Sequence, residues 1–273
     1  MEAPTYLGAL QAFTPYEPEY IRLDTDDNGL IPGSLEKVLD HGGIKFIYLV
    51  PTFQNPTGRT IPIERRKEIA AIIKKYNALL IEDDPYSSLR YSGTAVPPIK
   101  SLAPGNVVYL STLSKVLAPG LRIGFCAAPE QIRKWLVIVK QGTDLHSSTF
   151  NQALAAEYIS GGFLAKHLPN IINLYRPKQE AMLSALDNYF PDQFNWSRPE
   201  GGMFIWAEGP RGLDMEKLYW KAVEKNVAFV PGKYFYSTPG EGIETMRLNF
   251  TMADEETIDR SVRTLGEVIK KFS

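Results

Sequence analysis

Four short polar clusters in this chain carry residue types able to do chemistry together: Asn55, then Asp83 with Tyr86, then Thr112, Ser114 and Lys115, then Arg122. A lysine amine can form a Schiff base with an aldehyde when its surroundings leave part of it neutral. An aspartate beside a pyridine nitrogen would keep that nitrogen protonated, because a neighbouring negative charge favours the cationic form. Such a ring draws electrons from a carbanion formed next to it. Asn55 and Tyr86 can hydrogen-bond a phenolic oxygen on the same ring. The hydroxyls of Thr112 and Ser114 with the Arg122 guanidinium would make a phosphate cup, arginine being suited to a two-pronged grip. Further on, Arg247 stands in the otherwise apolar run Met246–Phe250 and calls for an anion; a substrate α-carboxylate would serve.

Taken singly, each residue has a plainer reading. Asn55-Pro56-Thr57-Gly58 makes a good turn, Asp83 can cap a helix, and Thr112 and Ser114 can be ordinary turn hydroxyls. Lys115 can be a solvated loop lysine, and either arginine can pair with a carboxylate. One ligand accounts for all of them at once, whereas the plain readings need separate coincidences.

The elements that must position these residues follow from periodicity. Ile44–Val50 is a short continuous apolar run, as expected for a strand buried on both faces. Ile63–Tyr76 reads as an amphipathic helix with Ile69, Ile72 and Ile73 on one side and Arg65, Arg66, Lys67 and Lys74 largely on another. Ala78–Ile81, Val107–Leu110 and Arg122–Ala128 read as further strands. Strands alternating with helices predict a mostly parallel α/β sheet, and in such sheets ligands bind beyond the carboxyl ends of the strands. Asn55, Asp83 and Lys115 all fall at such ends, although topology could still scatter them. Residues 129–190 read as helical with a break at Gly161-Gly162. Strands at Met203–Ala207, Val227–Val230 and Met246–Phe250, with helices at Leu213–Lys225 and Asp254–Lys271, predict a smaller α+β unit. We therefore expect a large domain over residues 1–170 and a small one over 171–273.

Composition narrows the function classes. The chain has 273 residues and 44% hydrophobic content, enough for a sizeable core. Thirty Lys and Arg against 31 Asp and Glu give a net charge of −1, which offers no broad attraction to nucleic acid or anionic membrane. The single cysteine, Cys126, cannot form an internal disulfide, and the three histidines lack metal-ligand spacing. No apolar run reaches the ~20 residues that span a bilayer, and the start lacks the basic and apolar regions of a signal peptide. A cytoplasmic protein without metal is expected.

The motifs in order, Asn55-Pro56-Thr57-Gly58, Asp83-Asp84-Pro85-Tyr86 and Ser114-Lys115-Val116-Leu117-Ala118-Pro119-Gly120-Leu121-Arg122, resemble the class I/II aminotransferases of fold type I, whose cofactor is pyridoxal 5'-phosphate. Several stretches resemble the kynurenine/α-aminoadipate aminotransferase group: Pro4–Ala9, Gln54–Gly58, Lys140–His146 and Pro199–Phe204. The resemblance implies transamination between an α-amino acid (aromatic or α-aminoadipate-like) and a 2-oxo acid. Lys115 would be the Schiff-base lysine and proton shuttle, Asp83 rather than Asp84 the pyridine-nitrogen partner, and Tyr6 the ring stacked on the pyridine face from near a strand end. Asn55 and Tyr86 would contact the ring oxygen, Thr112, Ser114 and Arg122 the phosphate, and Arg247 the substrate carboxylate. A cis peptide before Pro56 and a homodimer are also implied.

One departure stands out. Related chains carry, before the Tyr6 stretch, an N-terminal arm, a first strand and helix, and a Gly/Ser-rich loop that binds the cofactor phosphate at a helix N-terminus. The resemblance therefore implies an N-terminally truncated chain, as an internal start codon or a shortened record would give. Strand edges would then be uncovered and the cofactor held weakly. Two alternatives from other classes are an aminotransferase-like sensor domain of a winged-helix transcription regulator, and a pyridoxal-phosphate lyase or inactive fragment.

Overall fold

The computed structural model describes residues 1–272, and the chain within it divides into two compact units. One comprises Met1–Glu2, Ile21–Thr52 and Thr60–Ile171; the other comprises Ala3–Tyr20, Phe53–Arg59 and Ile172–Ser273. The second unit thus recruits two early segments besides the C-terminal third, which helical and strand periodicity cannot reveal. Its first segment holds a short helix, α1 (Leu7–Phe13).

In the first unit a small hairpin of β1 (Thr25–Asp26) and β2 (Gly29–Leu30) leads into α2 (Pro32–Asp40). A four-stranded sheet follows, in the order β3 (Ile47–Leu49), β4 (Leu80–Asp83), β5 (Val107–Thr112) and β6 (Gly124–Ala127). The first three strands are parallel, joined by α3 (Ile63–Lys75) and by a connection containing the short α4 (Ile99–Leu102). The fourth is antiparallel. The reason is in the link: Leu113–Ile123 holds nothing longer than the 3-10 turn Pro119–Leu121, and a parallel return needs a crossover of about a dozen residues or more.

Pleat alternation assigns the two faces of this sheet. Ile47, Leu49, Leu80 and Val107 join Leu35 and Leu39 of α2, Ile69 and Ile73 of α3, and Ile99 of α4 in one buried cluster. Each fully buried isoleucine here stabilises the fold by about 2 kcal/mol. Helix α3 departs from the expected polar face at one position. Arg66 is 1% exposed and lies on the inward side with Ile69, Ala70 and Ile73, at spacings of three, four and seven. Its guanidinium donates to the carbonyls of Ile61, Pro97 and Pro51 and to Thr52 Oγ1 at 2.7–3.1 Å. Satisfying loop carbonyls is what permits a charge there.

Beyond the sheet come α5 (Glu130–Thr143), α6 (Thr149–Ser160) and α7 (Phe163–Tyr189), the last running through the boundary between the units. All four residues of β6 are exposed and α5 has no buried residue. Trp135, Val137, Ile138 and Val139, in nearly consecutive positions, are 69%, 53%, 57% and 61% exposed. Apolar residues on every side of a helix are otherwise a mark of burial.

The second unit is α+β. An antiparallel sheet in the order β7 (Asn195–Trp196), β8 (Phe204–Glu208), β10 (Thr245–Asn249), β9 (Val230–Pro231) carries α8 (Met215–Val223) and α9 (Glu255–Phe272). Asp214 caps α8 by accepting from the N–H groups of Glu216 and Lys217. The backbone bonds hold its carboxyl below the usual carboxylate range against the opposing effect of burial. Helix α9 buries Ile258, Val262, Leu265 and Ile269, an unbroken helical stripe. Gly232 must lack a side chain, since a Cβ there would stand 1.8 Å from Thr245 Oγ1. No helix among the described residues is long and apolar enough to cross a membrane.

Candidate active site

Three adjacent carboxylates at the end of β4 have three different fates. Glu82 is fully buried and accepts from the Ile99 and Lys100 N–H groups at 2.8 and 2.7 Å, closing the start of α4. Asp84, on the same face, accepts from the Ser87 N–H at 3.0 Å and the Tyr109 hydroxyl at 2.9 Å. Asp83 points to the opposite face, away from α2, α3 and α4. There the Tyr48 hydroxyl donates to its Oδ2 at 2.6 Å, and among the described residues no donor is bonded to Oδ1. Burial raises the Asp83 carboxyl above the usual carboxylate range, the Tyr48 hydrogen bond pulls it down, and the Asp84 charge raises it. Strand alternation thus gives a physical reason to separate Asp83 from Asp84: only one is spare.

The register brings further polar groups to the Asp83 face. Asp83 pairs with Leu110 on β5, so Thr112, two residues on, lies on the same face. Thr112 Oγ1 is 2.9 Å from Ser114 Oγ and 3.1 Å from the Ile123 carbonyl, and it accepts from the Ser114 N–H at 3.1 Å. Lys115 follows at once in a tight turn, half-buried, where the N–H groups of Val116 and Leu117 both return to the Leu113 carbonyl. Tyr86 is buried in the loop after β4. Arg122 does not begin a strand as its sequence suggests. It takes a left-handed conformation (φ 53°) at the end of the 3-10 turn, exposed, with Nη1 on the Pro119 carbonyl at 3.3 Å.

The remaining three candidates lie in the second unit. Arg247, half-buried in β10, donates through Nη1 to Asn55 Oδ1 at 2.8 Å. Its guanidinium carbon sits 4.2 Å from the Phe204 ring centroid and 5.1 Å from that of Phe235. Aromatic faces attract a guanidinium and hold its plane. Asn55 is buried, and the Asn55–Pro56 bond is cis, as is Ala3–Pro4. Tyr6 stands at the N-cap of α1 rather than at a strand end, and is 37% exposed. Its ring folds back over Gly8, where a Cβ would come within 2.6 Å of the ring. The neighbouring Thr5 N–H donates to the Phe235 carbonyl at 2.8 Å, tying the Tyr6 segment to the residue beneath Arg247.

Sequence reasoning missed Tyr48, Phe204 and Phe235. Tyr48 is the one hydroxyl inside the apolar run Ile44–Val50, and that is the signal it offered. The two phenylalanines look like ordinary core residues, and nothing in their spacing separates them from the rest. Among the described residues no cluster of His, Cys, Asp and Glu could hold a metal ion.

Residues 3–265 match the model of one protein family, aminotransferase class I and II. The chain belongs to that family. It is 48% identical to aromatic-amino-acid aminotransferase 1 of Thermococcus litoralis over 99% of its own length and 66% of the relative's. It is 42% identical to 2-aminoadipate transaminase of Thermus thermophilus, over 99% and 68%. Among solved structures it superimposes on Pyrococcus horikoshii kynurenine aminotransferase, in complex with PMP, with a TM-score of 0.96. That pair is 46% identical, covering 99% of this chain and 68% of the other. The fold is that of the fold type I enzymes dependent on pyridoxal phosphate, and the chain spans about two thirds of the length of the curated relatives it matches.

Pyridoxal phosphate is the cofactor of this family, and the residues present fit it. A carboxylate half-buried at a strand end, with one oxygen spare and a raised pKa, suits a cationic ring nitrogen. The Thr112–Ser114 hydroxyl pair, three residues and one residue before the lysine, offers donors for a phosphate.

Proposed function

We propose that the protein transfers an amino group between an α-amino acid and a 2-oxo acid, with an aromatic or α-aminoadipate-like side chain on the amino acid. The names of the two curated relatives support the substrate class. When bound, pyridoxal phosphate supplies an electron sink that makes the α-proton of an amino acid labile. In this reading Lys115 would hold the cofactor, and its Nζ, when free as the amine, would take the proton from the substrate α-carbon and return one. Asp83 would keep the ring nitrogen protonated, and Tyr86 and Asn55 would donate to the ring oxygen. Thr112, Ser114 and Arg122 would hold the phosphate, and Tyr6 would supply an aromatic face for the ring. Arg247 takes the substrate carboxylate, its guanidinium held flat by Phe204 and Phe235. The working form is a cytoplasmic homodimer.

The observation that carries this reading is the contrast between Asp84, committed on the helix-covered face, and Asp83, spare on the other. The test is to purify the chain with pyridoxal phosphate and record its absorbance beside that of Lys115→Ala. A near-visible band present only with Lys115 is expected, followed by formation of 2-oxo acids from a panel of amino acids. A wild-type spectrum no different from that of the variant would overturn the assignment.

A further inference from the structure

Parallel pairing of β3 with β4 sets Tyr48 opposite Ile81. Asp83 is the next residue of β4 on that face, so the phenol ring reaches along the strand rather than across it. Tyr48 is 4% exposed, and its hydroxyl closes on Asp83 Oδ2 at 2.6 Å. A phenol on a carboxylate at that distance is a charge-assisted hydrogen bond, which favours the ionised acid and fixes its rotamer. The other charged neighbour, Asp84, acts in the opposite sense. Asp83 has no arginine or lysine hydrogen-bonded to it among the described residues; the phenol is its one side-chain donor.

We propose that Tyr48 is a positioning residue for the cofactor, acting through Asp83. It occupies Oδ2, holds the carboxylate ionised, and so reserves Oδ1 for the N–H of the pyridine ring. This rests on the reading that Asp83 is the ring-nitrogen partner. Removing the phenol hydroxyl leaves a desolvated carboxylate beside Asp84 with no donor. Such a group takes up a proton more readily and passes less charge to the ring nitrogen.

The experiment has two arms. In cofactor-free protein, difference infrared spectroscopy follows the Asp83 carboxyl band, assigned by its loss in Asp83→Asn. Tyr48→Phe is expected to move its titration to higher pH. In protein loaded with cofactor labelled with 15N at the ring nitrogen, Tyr48→Phe is expected to move that resonance from the protonated toward the unprotonated position. Cofactor binding should weaken about tenfold, the loss of one charge-assisted hydrogen bond. Tyr48→His, which keeps a donor, should recover part of both effects and serves if Tyr48→Phe does not fold. Unchanged carboxyl titration and an unchanged nitrogen resonance in folded Tyr48→Phe would overturn the proposal alone. Absence of any Lys115-dependent absorbance in the wild-type chain would overturn the assigned site, and the role of Tyr48 with it.

Discussion

Arg247 and Asn55 are 192 residues apart in sequence, yet Nη1 of the first donates to Oδ1 of the second at 2.8 Å. The asparagine thus orients one edge of the guanidinium while Phe204 and Phe235 fix its plane. Arg247→Lys keeps the charge but loses the planar fork and the stacking. We expect KM for the amino acid to rise ten- to a hundredfold with a smaller change in kcat, the signature of a lost ground-state carboxylate contact. Phe235→Leu should give a milder rise in the same parameter. Steady-state kinetics across amino-acid concentration checks both.

Asp83→Asn separates stability from function. The folded-state pKa of Asp83 is raised. Its contribution to stability is therefore full below the unfolded value, about 3.9, and declines as pH rises through the folded value. Asparagine can still accept from Tyr48 but carries no buried charge. The variant should melt higher than the wild type at pH 7 to 8, with the difference fading near pH 4, while the Lys115-dependent band weakens or disappears. Thermal melts of cofactor-free protein across that range test it.

Arg66→Met should be costly despite its apolar fit. The substitution strands the carbonyls of Ile61, Pro97 and Pro51 and the Thr52 hydroxyl that now share the guanidinium. A loss of about 3 kcal/mol or more is expected from denaturant titration.

Asp214→Ala removes both cap hydrogen bonds of α8 and should cost about 1 kcal/mol at neutral pH. Because the folded pKa is depressed, this contribution is present above the unfolded value and is lost as pH falls through the folded one. Wild type and variant should therefore converge in strongly acidic buffer and diverge at neutrality, as read by chemical denaturation at each pH.

The exposed apolar residues of α5 have a direct solution consequence. The exposed side chains of Trp135, Val137, Ile138 and Val139, spread around α5, should bind a hydrophobic dye and promote self-association. Charged substitutions at Trp135 and Val139 should lower both dye fluorescence and light scattering of the isolated chain without changing its melting temperature by more than a few degrees.

How much of this was legible beforehand depends on the range over which each residue acts. The parallel strands, the helices α3, α8 and α9 and the lysine turn follow from local periodicity, and the motifs that carry the chemistry are contiguous. Reading Arg66 onto the polar side weighs charge type over position in the helical turn; its partners come from two separate connections, β3 to α3 and β4 to α4. Arg122 was read as a strand residue because Ile123–Ala128 is apolar, but the preceding Pro119-Gly120 turn sets its backbone. The antiparallel direction of β6 depends on the length of a link, and the Tyr48–Asp83 bond on strand register. Neither is a property of any single stretch of sequence.

The chain alternates between the two units, passing from one to the other after Glu2, Tyr20, Thr52, Arg59 and Ile171. On a ribosome, Asn55 leaves the exit tunnel long before Arg247 exists, so the C-terminal unit cannot close until translation is nearly finished. Its early segments, Ala3–Tyr20 and Phe53–Arg59, must wait without their partners, in a search dominated by distant contacts and hence slow. Neither half can be cut out as a contiguous fragment, and a nick or stop codon late in the message disables residues encoded near its beginning.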